Sequence, residues 1–435
     1  MTDVLTAPFP RHAAAPRRLG KSRSPLWHPM TAMRGYDSAE HVIARAEGVR
    51  VWDESGRCYL DAISGLWNVN FGYGHPAILS AIRGQLDVLA YGPLFGGRAN
   101  RPAIELAQRL LDIGPVKQGR VFFSASGGTG IDTALKLARR GQRLDGHPER
   151  DVVVGLVGSY HGTAYGATAV TGEDLEQHEY ATDLRHVRHV SPFDPEDLHR
   201  LIAAEGDRLA AIVVEPVLGT GAHVLGAEMV AAIDDVRRDS GAFVIVDEVT
   251  TGFGRTGTAM ASEKLGLNPD VVVLSKGLTG GYLPLAATVC GEAICDLFDD
   301  HDARFAHGET QSGNPVAAAA ALAASDVLLA PGFLDAVRSL SDRFEAGLDR
   351  LVLQDPAVAG HRGLGMLRAV SLRGADGGAL DPRGVARVLD GCRREGVLVY
   401  ASPGGIGLLP PLTTTADELD EMLDGVARGI VAAGI

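Results

Sequence analysis

Between residues 75 and 325 the chain alternates short apolar strands with stretches of helical period. The strands fall at 121–123, 152–157, 209–215, 243–247 and 271–275; they are rich in Val and Ile and polar only at their carboxyl ends. A strand with one face in water carries a polar residue at every second position. These do not, so both of their faces must be covered. That predicts an α/β fold around a mainly parallel sheet with helices on both sides. Ligands of such sheets bind beyond the carboxyl ends of the strands, where the polar residues of this chain gather.

The flanks read differently. Residues 42–61 form two alternating stretches around a Gly/Ser turn, which predicts a hairpin. The last hundred residues predict helices at 334–354, 382–395 and 415–432, with strands at 366–372 and 397–400. The division expected is an N-terminal arm (1–25), the N-terminal part of a small domain (26–75), a large domain (76–328) and a C-terminal small domain (329–435). The arm carries Arg11, Arg17, Arg18, Lys21 and Arg23 with no apolar run behind them, so it reads as a mobile or partner-wrapping segment rather than a secretory signal.

Charge and cysteine content narrow the function. With 41 basic and 54 acidic residues the net charge is −13, and no basic block follows the arm, so no nucleic-acid partner is expected. No apolar run reaches membrane-spanning length, so no membrane partner is expected either. Cys58, Cys290, Cys295 and Cys392 show neither a CxxC pair nor His-rich metal spacing. They fit reduced thiols, a cytoplasmic location and no bound metal.

Candidate chemistry sits at the strand ends. Lys276 follows the strand at 271–275 and precedes Gly-Leu-Thr-Gly-Gly; desolvated there, it would lose its preference for the ammonium form and become a nucleophilic amine. A lysine that snorkels to solvent is the rival reading, and context alone leaves both standing. Asp247 ends the strand at 243–247, where a carboxylate can pair with a pyridinium nitrogen or serve a structural role. The run Ser126-Gly127-Gly128-Thr129-Gly130 joins a strand to a helix and offers free backbone N–H groups to a phosphate. It is neither a P-loop nor a GxGxxG fingerprint, which weakens a nicotinamide dehydrogenase. Tyr160 could stack on a flat cofactor, while His161 reads as a satisfied supporting histidine. Glu215 is a cleft carboxylate or a strand terminator, and the loop His307-Gly308-Glu309-Thr310 supplies a hydroxyl and N–H groups.

Taken in order, SGG, YHG, EPV, DEVTTGFGRTG, SKGLTGGYLP and HGETQSGNP resemble the class III aminotransferases, which have the type I fold of pyridoxal 5'-phosphate (PLP) enzymes. The resemblance implies that Lys276 forms a Schiff base with PLP and shuttles protons, and that Asp247 binds the pyridine nitrogen. It further implies that Val249 and Tyr160 sandwich the ring and that Gly127 with Gly128 hold the phosphate. Thr310 would reach the phosphate of a neighbouring subunit, because the family builds its sites in a homodimer. Gly128 departs from the pattern, which usually has Ser there; the backbone donors survive and one hydroxyl contact does not.

Within the class, LWHPMTAM, FGYGHPAI and LFGGRANRPAIEL resemble diaminopelargonate aminotransferases of biotin synthesis. The substrate positions differ: Met30 stands for a Tyr, Leu66-Trp67 for Trp-Trp, and Tyr400 for the arginine that binds the substrate carboxylate. Tyr160 and Gly308 complete the expected substrate-binding set. A bidentate Arg–carboxylate contact is worth about 1.5–3 kcal/mol or more, so its loss beside an intact core points to a changed substrate. The expectation is transfer from an amine donor to a ketone or aldehyde without that carboxylate. A modified peptide terminus, as in daptide-like biosynthesis, or a small amine/ketone pair would serve. Arg98, Arg101 and Arg362 are candidates for a displaced cation. The alternatives are a diaminopelargonate-type enzyme, a PLP aminomutase or decarboxylase, and a catalytically silent scaffold of the same fold.

Overall fold

The computed structural model describes residues 26–32, 42–374 and 376–435; the arm at 1–25 lies outside them. The centre is a seven-stranded sheet in the order Gly119–Ser124, Ala286–Gly291, Val271–Leu274, Phe243–Asp247, Leu209–Val214, Val152–Leu156, Val187–Val190. All the ladders are parallel except the two made by Ala286–Gly291. Its inner strands are buried along their whole length, as the unbroken Val/Ile runs require.

Two of these strands were not expected from the sequence. Val187–Val190 interrupts its valines with Arg188 and His189, and it is an edge strand paired on one side only. Ala286–Gly291 is built of Ala, Thr and Cys, a composition closer to a buried helix than to a strand. Its small side chains have a packing reason. The Gly127–Leu144 helix presses on this part of the sheet so closely that a Cβ at Gly130 would lie 2.8 Å from a Val273 methyl. The Thr288 hydroxyl donates to the Gly130 carbonyl at 3.0 Å.

The two ends of the chain share a second body. Ile43–Glu47, Arg50–Asp53 and Cys58–Asp61 form an antiparallel ribbon, and Val397–Leu398 adds in parallel beside Leu60 and Asp61. A further antiparallel sheet runs Val358–Leu364, Leu367–Leu372, Gly405–Leu408, Tyr400–Ser402. The expected strand at 397–400 is therefore split at Val399 between two sheets, and Tyr400 lies against Trp67. Helices Phe333–Gln354, Pro382–Arg394 and Ala416–Ala433 cover these sheets, and Val49, Leu60 and Ala62 pack into one core with Phe344, Val388 and Val426. The last two helices start on side-chain caps, Asp381 to the Gly384 N–H at 2.6 Å and a Thr415–Glu418 box.

Arg255 fastens the two bodies together. It is 0% exposed and donates to the carbonyls of Met366 (3.2 Å) and Pro410 (2.6 Å), to Ser64 Oγ (3.1 Å) and to Asn70 Oδ1 (2.8 Å). Burial depresses its pKa to about 9 despite the nearby Asp61 carboxylate. Among the described residues no single helix is long and apolar enough to cross a membrane.

Candidate active site

The carboxyl edge of the sheet opens on a cavity of about 260 Å³ that brings together Gly127, Gly128, Tyr160, Asp247, Val249 and Lys276. Sheet register explains the meeting. Asp247 lies opposite Val273 in the adjoining strand, so the chain just beyond that strand carries Lys276 past the same edge. Lys276 sits at φ +41°, a left-handed conformation that a side-chain-bearing residue holds only against its neighbours' constraint. Its Nζ donates to Thr250 Oγ1 at 2.8 Å and stands 5.1 Å from the centre of the Trp67 ring. Desolvation in this partly buried position lowers its pKa, opposed by the charges of Asp247 and Glu215. The amine is thus shifted toward its neutral, nucleophilic form while two carboxylates remain within reach.

Asp247 is held from two sides. Oδ1 accepts from the Val249 N–H at 3.0 Å, and Oδ2 lies 2.8 Å from His161 Nδ1. His161 is buried, and burial alone would depress its pKa; the hydrogen bond and charge of Asp247, helped by Glu215, reverse the sign and raise it. Among the described residues its Nε2 is buried without a partner, so the histidine read as satisfied is satisfied there at one nitrogen only. Glu215 accepts from the Tyr160 N–H (3.0 Å) and the Gly219 N–H (3.0 Å), and burial raises its pKa to about 7. It fixes the loops on either side of the cavity.

At the opposite wall the Gly127–Leu144 helix begins on Ser126, whose Oγ accepts from the Thr129 N–H at 3.3 Å. Gly127 and Gly128, whose first-turn amides have no carbonyl one turn back, line the cavity. A Cβ at Gly127 would lie 3.1 Å from the Val249 methyls, so the helix end packs directly on the cavity's side wall. Carboxylate, amine, flat side walls and a helix N-terminus with free N–H groups fit the pyridine nitrogen, aldehyde, ring and phosphate of PLP.

The remaining predicted positions are spread around this cavity. Trp67 stands near it, its ring centre 5.1 Å from Lys276 Nζ, and Tyr400 meets Trp67 edge-on with ring centres 5.5 Å apart. Tyr400, Trp67 and Glu173 line a second cavity of about 220 Å³ beside the first. Met30, 77% exposed, lines a neighbouring space with Tyr165 and Tyr180, and Thr163 forms a wall common to it and to the Lys276 cavity. Leu66 is 60% exposed and lines neither. Gly308 is pressed on Phe95, where a Cβ would meet the ring at 2.5 Å. Thr310 is exposed, and its carbonyl accepts from the Tyr91 hydroxyl at 2.9 Å. Thr250 and Glu173 escaped sequence reading, the first hidden inside a longer motif and the second in a polar stretch.

A model of the class III aminotransferases matches residues 31–430. The chain is a class III aminotransferase. It is 36% identical to the adenosylmethionine-8-amino-7-oxononanoate aminotransferase of Nitratidesulfovibrio vulgaris, over 94% of this chain and 80% of that protein. Among solved structures it resembles an amine transaminase from an uncultivated Pseudomonas species, determined with PLP bound (TM-score 0.89, 33% identity, 94% of this chain and 99% of that one). It also resembles an (S)-enantioselective omega-transaminase from Thermomicrobium roseum (TM-score 0.88, 34% identity, 93% and 96%). The aminotransferase has the type I fold that the resemblance implied, and PLP is its cofactor.

Proposed function

We propose that this aminotransferase moves an amino group from an amine donor to a ketone or aldehyde lacking the carboxylate that a late-strand arginine would bind. The supporting observation is Tyr400, which occupies that position against Trp67 and brings no positive charge. Arg368 lines the same cavity, but its Nη2 is spent on Glu345 (2.9 Å) and its Nε on the Gly365 carbonyl (3.0 Å). Arg362 donates to the Gly221 carbonyl and to Ser371 Oγ at 2.6 Å. Arg101 is largely exposed and stands 4.0 Å from Glu105. A small ketone or a modified peptide terminus answers this chemistry.

PLP, when bound, supplies an aldehyde that condenses with amines and a ring that accepts the electron pair released beside the nitrogen. In this reading Lys276 holds the cofactor and carries a proton on Nζ between the two carbons that exchange it. Asp247 keeps the ring nitrogen protonated, with His161 orienting the carboxylate. Tyr160 and Val249 exclude water from the two faces of the ring, and Gly127 and Gly128 bind the phosphate through their N–H groups. Thr310, exposed and anchored by Tyr91, serves the phosphate of the other protomer in a homodimer. The unpaired thiols of Cys58, Cys290, Cys295 and Cys392 support a cytoplasmic location.

Two glycines separate the phosphate assignment from a merely structural one. A Cβ at Gly128 would find its nearest neighbour, the Ala164 nitrogen, at 3.5 Å, so serine fits there. Gly128→Ser is expected to fold normally and bind PLP roughly two- to tenfold more tightly, the value of one added hydrogen bond. At Gly162 the φ is +113° and a Cβ would lie 2.7 Å from Gly128 Cα. Gly162→Ala is expected to weaken PLP binding by at least about tenfold by displacing the helix end. Equilibrium dialysis of PLP measures both; equal affinities in all three proteins would remove Gly128 from the phosphate site.

The acceptor is tested on the amine-loaded enzyme, with acetone and butanone set against pyruvate and 2-oxoglutarate. Faster turnover with the uncharged ketones is the expected result, and a strong preference for the carboxylated ones sinks the reading. The similarity to the Nitratidesulfovibrio vulgaris protein favours a second reading, an enzyme of diaminopelargonate type. That reading requires S-adenosylmethionine to serve as amino donor.

A further inference from the structure

The cavity of about 220 Å³ next to the Lys276 site holds one carboxylate, Glu173. Its environment is unusual for an acid. Glu173 is half-buried and accepts a hydrogen bond from the Thr220 hydroxyl, with no basic side chain paired to it among the described residues. Burial raises its pKa, and the only opposing influence is that hydroxyl. The backbone beneath it is fixed, because Gln177 Nε2 donates to the Glu173 carbonyl at 2.7 Å. A carboxylate so placed is an unmet electrostatic demand: burying charge without a partner is unfavourable, and a cation brought by a ligand relieves it.

The position connects to the chemistry. Glu173 and Tyr400 line this cavity together, and the charge of Glu173 bears both on Tyr400 and on Tyr160, which lines the Lys276 cavity. Trp67 lines the Glu173 cavity, with its ring centre 5.5 Å from that of Tyr400 and 5.1 Å from Lys276 Nζ. The arginine that lines the same cavity, Arg368, is paired with Glu345. A substrate whose reacting amine lies at Lys276 and that extends past Trp67 meets Glu173, the one acid of this cavity, while the cavity's Arg368 is paired with Glu345.

Resting on the aminotransferase reading above, we propose that Glu173 is a specificity-determining residue and that the amine substrate carries a second, cationic group, which Glu173 binds in the cavity beside Trp67 and Tyr400. The class is a diamine or an amine with a remote ammonium, as distinct from a monoamine or an α-amino acid. The Thr220 hydroxyl holds the carboxylate in place, and its second oxygen remains for the incoming ammonium. Tyr400 supplies an aromatic wall for the connecting methylenes. The same carboxylate repels substrates that present a carboxylate there, so the exchange of Arg for Tyr and the presence of Glu173 act in one direction.

The test follows the first half-reaction of the PLP-loaded enzyme by its visible spectrum, with donors in matched pairs. Putrescine, cadaverine and 1,6-diaminohexane are set against butylamine, pentylamine and hexylamine. The wild type should prefer at least one diamine over its monoamine by roughly tenfold or more in kcat/KM. In Glu173→Gln that ratio should fall by about tenfold, with the change carried by the diamine's KM. In Glu173→Lys the preference should turn toward donors with a remote carboxylate, such as 4-aminobutyrate. Monoamines that react as well as diamines in the wild type would overturn this proposal and leave the aminotransferase reading intact. So would a ratio unmoved by Glu173→Gln. A spectrum that no amine alters would instead remove the reading on which the proposal rests.

Discussion

Lys276→Ala is expected to lower kcat by at least about 10⁴-fold while the protein folds and still takes up PLP. Proton transfer by a positioned group contributes about 10²–10⁴-fold, and the amine also holds the cofactor in place. Thr250 Oγ1, which accepts from Nζ at 2.8 Å, is left to accept from another donor. Loss of a partly buried, desolvated amine removes a desolvation cost, so thermal unfolding should occur at or above the wild-type temperature. Residual turnover above about one per cent, measured with saturating PLP, would assign the proton transfer to another group.

The second large effect is expected at Asp247. Asp247→Asn keeps the shape and the contact with the Val249 N–H, now 3.0 Å, but removes the negative charge. An amide cannot hold a ring nitrogen protonated, so the electron sink is lost even though the cofactor stays. Removing one preorganised electrostatic interaction costs about 2.7–4 kcal/mol, or roughly 10²–10³-fold in kcat. His161 should respond as well: its raised pKa derives from the carboxylate 2.8 Å away, so in the variant burial prevails and the pKa falls. Steady-state kcat and titration of the histidine by NMR read the two effects separately. An Asn variant within tenfold of wild type would mean that the ring nitrogen is served from elsewhere.

The sequence made the central sheet legible because burial on both faces leaves an uninterrupted apolar run, and such runs located the strands that end at or just before Asp247, Glu215 and Lys276. It did not reveal Ala286–Gly291, whose small residues answer a close helix contact at Gly130 that no periodicity encodes. Nor did it reveal the break at Val399, since two residues in one sheet and three in the next read as one run of apolar character. The Lys276 cavity was legible as motifs spaced along the chain. Its surroundings were not: Thr250, the unpartnered Nε2 of His161 and the carboxylate of Glu173 gain meaning only from what faces them across the fold. Arg255 lay inside a quoted motif, yet its role as a buried clasp between two bodies depends on carbonyls more than a hundred residues away.

The most direct measurement is the visible absorption of the purified, PLP-loaded protein during titration with single amines, with Lys276→Ala alongside. The wild type should be yellow and should bleach stoichiometrically with its donor, then recover its colour when a ketone or aldehyde acceptor is added. The variant should take up PLP without completing that cycle. A wild-type protein that binds no PLP, or that binds it and neither bleaches with any amine nor recovers with any carbonyl compound, would contradict the assignment of Lys276 and Asp247 to amino-group transfer.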